Sequence, residues 1–582
     1  MSERLSTLHR TLLGVVLGVL LPLILHLFLA LQSGQMDIRT LDLELTYLPL
    51  AERFLEAPAA LFASPDVVVV APGSFIYMAL VGADAERVVQ FNLFLSCLVL
   101  LLFFDSARRL AGTAAAVAAA WLYAGSPLLP EVMLPPLSEP PFLFLITLWL
   151  WSCVRIGERP GLWWPVSLAG LSLLLATLTR ATYVYWMGAA LLVCAVLIWR
   201  CRGANRQIAQ KLLIVHMIAA VGTGAYIAHN QARFDLPMVA TGSGAALYFG
   251  SNPIVAGYEP PYYGMLHDHW MVVDEESHLT PASNKRLTQV AKAMLLDMPA
   301  PALAQLYTQK LGALLFFSQA TLERKVLNER AYRVLLLVLA CVGFWAGRRS
   351  LVVWLIAGAL LYQLAVHVPA LYSARYSIGA LELPLTLLAA LGVGALWGNR
   401  RRMRAFVILA LVVTCGIAAG TLHQRYSRPL MPDMDNAPHN KAVEADPGDL
   451  SSSGFEGEPL TGVGRFSAST GHIEWRNLRV RMQGGSPVLR LEVDNLDSAC
   501  RYIRYAYREP GGQVFSTKFY LNHLQGKQVL TLGSLKLNHL EPAGGTLSLA
   551  FACPQGSQLS LRGLSVYFAN MGRTYRLKAK ID

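Results

Sequence analysis

Apolar runs long enough to cross a lipid bilayer recur along this chain, and that recurrence limits its fold before any motif is considered. A hydrocarbon core of ~30 Å takes roughly 20 helical residues. Runs of that order begin at 11–31 and return at 88–104, 113–129, 140–154, 162–178, 183–199, 212–228, 332–347, 350–368, 380–397 and 405–422. They are continuous rather than alternating, which excludes a porin-like barrel. Only 15% of the 582 residues are charged, against about 25% in soluble domains, and mean hydropathy is +0.43. A soluble enzyme, a disordered chain and a fibrous protein are excluded with it.

The charges then orient the runs. A net charge of +12 would suit nucleic acid if it formed one stripe, but the basic residues sit in short clusters at alternate connections. These are Arg108-Arg109, Arg155/Arg159, Arg200-Arg202-Arg206-Lys211, Arg348-Arg349 and Arg400-Arg401-Arg402-Arg404. The intervening connections, 32–87, 130–139, 179–182, 229–331 and 369–379, are long or poor in cations. The pattern predicts eleven spans, a cytoplasmic N-terminus and an outer C-terminal tail, with the bilayer as partner and no nucleic acid. The first run exceeds the ~7–15-residue apolar core of a signal peptide, and Gln32-Ser33-Gly34-Gln35 offers no cleavage site, so it reads as a retained helix.

The tail changes character. Residues 424–465 are rich in Pro, Asp, Gly and Ser and read as a linker. From 466 to 582, short alternating runs separated by Gly, Pro and Asn turns predict an antiparallel β-sandwich. Outside the cytoplasm a Cys500–Cys553 disulfide is permitted, and two buried free thiols fit the sequence equally.

Polar residues gather on the outer connections. The first carries Asp37, Asp42, Glu44 and Tyr47, and the helical spacing of Leu43, Tyr47, Leu50 and Phe54 suits a segment lying along the membrane surface. A solvated amphipathic connector accounts for the same residues. Glu139 opens an apolar run, where a helix dipole favours a carboxylate. Arg180 and Arg375 are solitary cations on the side poor in arginine, and guanidinium suits bidentate phosphate contact. Snorkelling to lipid headgroups is the plainer account of each. The turns of "TGSGAALYFGSNP" would present backbone amides beside Tyr248 and Asn252. The histidines in "HDH" (His267, His269) read as solvated rather than metal-binding. Walker-type, G-x-S-x-G and H-E-x-x-H motifs are absent from the sequence.

In this order the pieces resemble a family. "ELTYLPLA", "APGSFIYMALVG", "DSARRLAG", "LSEPPFLFL", "LATLTRAT", "MVATGSGAALYFGSNP" and "ARYSIGALELPLTLL" are similar to elements of the GT-C membrane glycosyltransferases, above all the protein-mannosyltransferase and aminoarabinose-transferase-like group. The resemblance covers most of 10–400 and none of the tail. It implies a polytopic α-helical membrane protein of GT-C-like fold over 1–423 in a bacterial-type inner membrane; the about eleven transmembrane helices and the C-terminal β-sandwich-like periplasmic domain are expected from the runs themselves. It also implies a polyprenyl-phosphate-linked sugar as donor and a glycan, lipid or protein as acceptor. A first-loop carboxylate would act as base with inversion. Where many relatives pair Asp-Glu ahead of the Tyr, this chain has Asp42-Leu43-Glu44, so both stay open as the base and Asp37 stands third. Glu139 is implied as a further catalytic acid. Tyr47, Arg180, Tyr248, Asn252, Arg375 and Tyr376 are implied in substrate binding. Some members need a divalent cation (Mg²⁺ or Mn²⁺), and no metal-ligand set is assigned here. A transporter or lipid flippase is the competing class; span centres nearly free of charge argue against it.

Overall fold

The computed structural model describes residues 16–33, 42–251, 279–298, 300–317, 328–397, 440–444, 447–478, 487–497, 499–500, 502–508, 514–520, 529–534 and 545–568. It divides into two compact units: Met1–Gly250 with Leu279–Thr288 and Pro299–Ser427, and Ser251–His278 with Gln289–Met298 and Arg428–Asp582.

In the first unit, six helices among the described residues are long and apolar enough to cross a membrane: Ala85–Ala111, Glu139–Glu158, Ala181–Arg200, Gly203–Phe234, Glu329–Gly347 and Ala374–Trp397. Gly18–Leu29, Pro72–Val81, Thr113–Ala124, Trp164–Thr179 and Leu351–His367 are shorter apolar helices. The run at 405–422 lies outside the described residues, and eleven spans remain an expectation. The run expected over 113–129 stops at Ala124, because Gly125 caps the helix and Ser126-Pro127 turns the chain into the Pro130–Met133 turn. Leu192, Val221 and Leu361 are each more than 60% exposed along their helices. Such surface suits lipid and not water.

Small residues set how closely these helices pack. A Cβ on Gly343 would collide with the Leu388 carbonyl, and one on Gly392 with that of Leu339, so Asn328–Gly347 and Ala374–Trp397 cross backbone to backbone. Gly170 takes the Ile218 side chain and Gly222 the Leu174 side chain, so Trp164–Thr179 and Gly203–Phe234 pack closely by side chain into glycine. Pro384 lies inside Ala374–Trp397 and removes one helical N–H donor there.

The first outer connection folds into a layer rather than a single surface helix. A π-turn at Leu43–Tyr47 runs into Leu48–Glu56, and Pro58–Phe62 and Pro72–Val81 follow. Leu43, Leu50, Val67, Phe75 and Met78 form its own apolar core. The helical spacing anticipated this: Leu43 and Leu50 are seven residues apart and both face inward.

The second unit holds two antiparallel sheets. β1 (Asn440–Glu444), β3 (Phe455–Glu456), β4 (Gly464–Phe466), β6 (Pro487–Leu496), β9 (Val529–Ser534) and β11 (Gln558–Phe568) make one, in the order β3-β4-β11-β6-β9 with β1 also on β11. The other is β2 (Leu450–Ser453), β5 (Thr470–Leu478), β10 (Gly545–Ala552), β7 (Tyr502–Arg508) and β8 (Val514–Tyr520), in the order β2-β5-β10-β7-β8. β10 alternates strictly between buried and half-buried residues, placing Leu547, Leu549 and Phe551 in the core beside Ile473, Trp475 and Leu491. β1 to β4 begin inside the stretch whose composition reads as a linker. Cys500 and Cys553 are bonded, resolving the alternative the sequence leaves open.

Candidate functional site

Three chain ends meet at one end of the helical unit. Glu139 begins Glu139–Glu158, Arg180 terminates Trp164–Thr179, and Arg375 sits in the first turn of Ala374–Trp397. The antiparallel run of neighbouring helices brings these termini together. Asp42 joins them from the head of the π-turn.

The four charges form a chain. Glu139 Oε1 lies 2.7 Å from Arg180 Nη1 and 2.8 Å from Arg375 Nε. Arg375 then reaches Asp42 Oδ2 with Nη1 and Nη2, each at 3.2 Å. Ser138 ties the cluster together: its Oγ accepts from Arg180 Nη1 at 3.1 Å and from Tyr47 OH at 3.3 Å. Both guanidiniums also lie against the Tyr376 ring, 5.4 and 5.3 Å from its centroid. Burial first, and the Glu139 carboxylate second, push the Tyr47 phenol up to about 12, so it stays a donor.

The two carboxylates differ in what they can do. Glu139 is 3% exposed, with both guanidiniums on its Oε1 and the Ser138 hydroxyl on Oε2, so it is held as an anion between two cations. The Asp42 side chain is 54% exposed, with one oxygen on Arg375. It is the carboxylate that can meet an incoming proton. A cavity of about 10 Å³, room for one water molecule, lies among Glu139, Phe142, Arg180, Gln363, His367 and Tyr376.

Backbone contacts fix the parts. A Cβ on Gly73 would fall 2.6 Å from Thr179 Oγ1, so the first outer layer is pressed onto the turn that carries Arg180. Thr241 N donates to Val68 O at 2.7 Å, tying that layer to the Gly-Ser-Gly turn. Leu371 N donates to Ala246 O at 2.8 Å, which ties the helix Ser243–Gly250 to the lead into Arg375.

Of the residues named from sequence, Asp42, Tyr47, Glu139, Arg180, Arg375 and Tyr376 converge. Tyr248 is 7% exposed, edge-on to Phe249, and does not line the cavity. The Gly244 amide, expected to face a ligand, is taken by Asn284 Oδ1 at 2.7 Å. Asp37 and Asn252, His267 and His269, and the Glu44 side chain lie outside the described residues. Ser138, Gln363 and His367 belong to the site without having been anticipated. Ser138 carries a signal, a serine directly before the acid that opens an apolar run. Gln363 and His367 sit in an apolar helix with nothing to mark them. Among the described residues no three His, Cys, Asp or Glu side chains converge on a metal position, and Glu139 is already enclosed by arginines.

No protein-family model matches the chain, and no curated protein matches it in sequence. Among solved structures it is similar to an archaeal oligosaccharyltransferase, AglB from Archaeoglobus fulgidus in complex with an inhibitory peptide and a dolichol-phosphate. That likeness has 12% identity and a TM-score of 0.42, covering 70% of this chain and 55% of that one. It is also similar to the arabinosyltransferase EmbB from Mycobacterium smegmatis, at 11% identity and a TM-score of 0.23, over 90% of this chain and 61% of that one. The chain thus spans less than two thirds of the length of either.

Proposed function

We propose that the protein is an integral membrane glycosyltransferase that moves a sugar from a polyprenyl-phosphate carrier to a glycan, lipid or protein acceptor on the outer face of the membrane. The observation that carries this is the Asp42–Arg375–Glu139–Arg180 chain at one end of a bundle of apolar helices. A phosphate on a lipid carrier arrives at that depth, and two guanidiniums aligned by one buried carboxylate suit it. Asp42 accepts the proton of the acceptor hydroxyl. The freed oxygen bonds to the anomeric carbon, and the bond from that carbon to the phosphate oxygen breaks. Its electron pair leaves on polyprenyl phosphate, whose charge Arg375 and Arg180 stabilise. In this scheme Arg375 exchanges Asp42 for the phosphate, which releases the carboxylate as base. Glu139 orients both arginines. Attack opposite the leaving phosphate inverts the anomeric centre. The charge pattern of the connections supports a cytoplasmic N-terminus and an outer tail, and the resemblance of the sequence elements implies a bacterial-type inner membrane with that tail periplasmic.

The test is transfer from a polyprenyl-phosphate sugar by purified protein. Asp42→Asn is expected to lower kcat by about 10²–10⁴-fold, the usual contribution of a general base, with little change in donor KM. Full activity in Asp42→Asn would remove Asp42 from the chemistry.

A further inference from the structure

A second cavity of the helical unit lies away from this site. It measures about 380 Å³, within the ~300–1,000 Å³ typical of small-molecule sites. It lies among the closing turns of Ala85–Ala111, Glu139–Glu158, Asn328–Gly347 and Ala374–Trp397 and the opening turn of Leu351–His367. Glu139 begins the helix that Glu158 ends. At ~1.5 Å per residue the two lie roughly 28 Å apart, about one hydrocarbon thickness, so this cavity opens at the opposite membrane rim.

Its chemistry is two-sided. The walls are apolar, with Leu110, Val154, Val352, Val353 and Leu391 among them. The mouth holds Arg109 and Glu158, paired to each other, and Asp105 takes Arg109 at 2.6 Å and Arg108 at 2.7 Å. Those two carboxylates are the acids of this rim. Against them stand Arg108, Arg109 and Arg155, and Arg348 and Arg349 flank the lining residues Gly347 and Ser350 as exposed side chains. Cations are therefore in excess. Aromatic residues mark the depth. Arg155 lies over Trp151 and Trp164, Arg348 lies over Trp345, and Trp345 and Trp354 are more than half exposed. Indoles so placed sit at the headgroup level.

We infer that this cavity is a binding site for an anionic phospholipid, its acyl chain against the apolar wall and its phosphate among the rim arginines. A free phosphate would leave the apolar wall uncovered, and a zwitterionic lipid would leave the excess positive charge unanswered. Basic pockets between spanning helices hold acidic lipid headgroups by the same balance. The site goes beyond the proposed transfer reaction and does not depend on it.

Native mass spectrometry of the full chain in detergent tests this, with phosphatidylglycerol, phosphatidylcholine or inorganic phosphate added. Phosphatidylglycerol is expected to occupy the protein at least about fivefold more than phosphatidylcholine, the preference one rim arginine confers. Ala346→Phe and Ala395→Phe, which fill the cavity from exposed lining positions, are expected to abolish that preference. Arg108→Gln with Arg348→Gln leaves the cavity open and is expected to reduce it by about fivefold or more. Equal occupancy by the two lipids would overturn the inference. So would an undiminished preference in either set of variants, or displacement of phosphatidylglycerol by inorganic phosphate alone.

Discussion

Two carboxylates on the same arginine are driven to different roles by exposure. Glu139 is almost fully buried between Arg180 and Arg375, and in the proposed reaction it positions both. Glu139→Gln removes the one anion that, among the described residues, both cations share, and breaking a buried pair from one side costs about 3–5 kcal/mol. A lowered unfolding midpoint is therefore expected, together with weaker donor binding, and an unchanged midpoint would contradict the anchoring role. Lys310 is a separate buried charge in this unit, with Nζ donating to Gly250 O at 2.8 Å. Burial lowers it from 10.5 to about 7. The unfolded chain therefore binds more protons than the folded one between about pH 7 and 10.5, and stability should rise with pH across that window. Thermal unfolding of wild type against Lys310→Met measures this, and the rise should vanish in the variant. At this scale the sequence was a good guide where a charge stood alone on a sparsely charged side, as Arg180 and Arg375 do. Tyr248, expected beside ligand-facing amides, is instead buried edge-on to Phe249.

Helices and turns carry the second level of the account. Arg333 and Glu382 form an ion pair at 2.8 Å between Asn328–Gly347 and Ala374–Trp397, with no solvent exposure on either side chain. Arg333 Nη1 also donates to the Leu314 carbonyl and to Ser377 Oγ. Sealed from solvent, the ion pair joins the helix that bears Arg375 to its neighbour as a clamp. Arg333→Met alone should destabilise the protein by about 3–5 kcal/mol, whereas adding Glu382→Leu should recover most of that loss. Denaturant midpoints of the single and double variants check it, and equal losses would refute the clamp. This pair was not legible from sequence. Each residue stands inside an apolar run, and only the glycine crossing at Gly343 and Gly392 brings the two helices close enough to join them. Helix existence was legible from the apolar runs. The ends were set by local chemistry, as at Gly125-Ser126-Pro127.

At the scale of the molecule, composition alone specified a helical membrane unit and a β-rich tail, because lipid-facing helices and alternating strands leave different periodicities. Composition failed at the linker. Short polar strands such as β2, with the sequence Leu-Ser-Ser-Ser, carry no hydrophobic period and are defined only by pairing with β5. The convergence at the site was hidden for another reason: Asp42 and Arg375 are 333 residues apart, and only the stacking of helices unites them. In the proposed reaction this end of the bundle binds a lipid-borne phosphate through Arg375 and Arg180. Equilibrium binding of polyprenyl phosphate and of the corresponding phosphate-free polyprenol to wild type and Arg375→Gln tests it most directly. Wild type should prefer the phosphate by at least about tenfold, the ~1.4 kcal/mol expected of one charge-assisted contact, and Arg375→Gln should lose that preference while remaining folded. Equal affinity of wild type for the two lipids would contradict it.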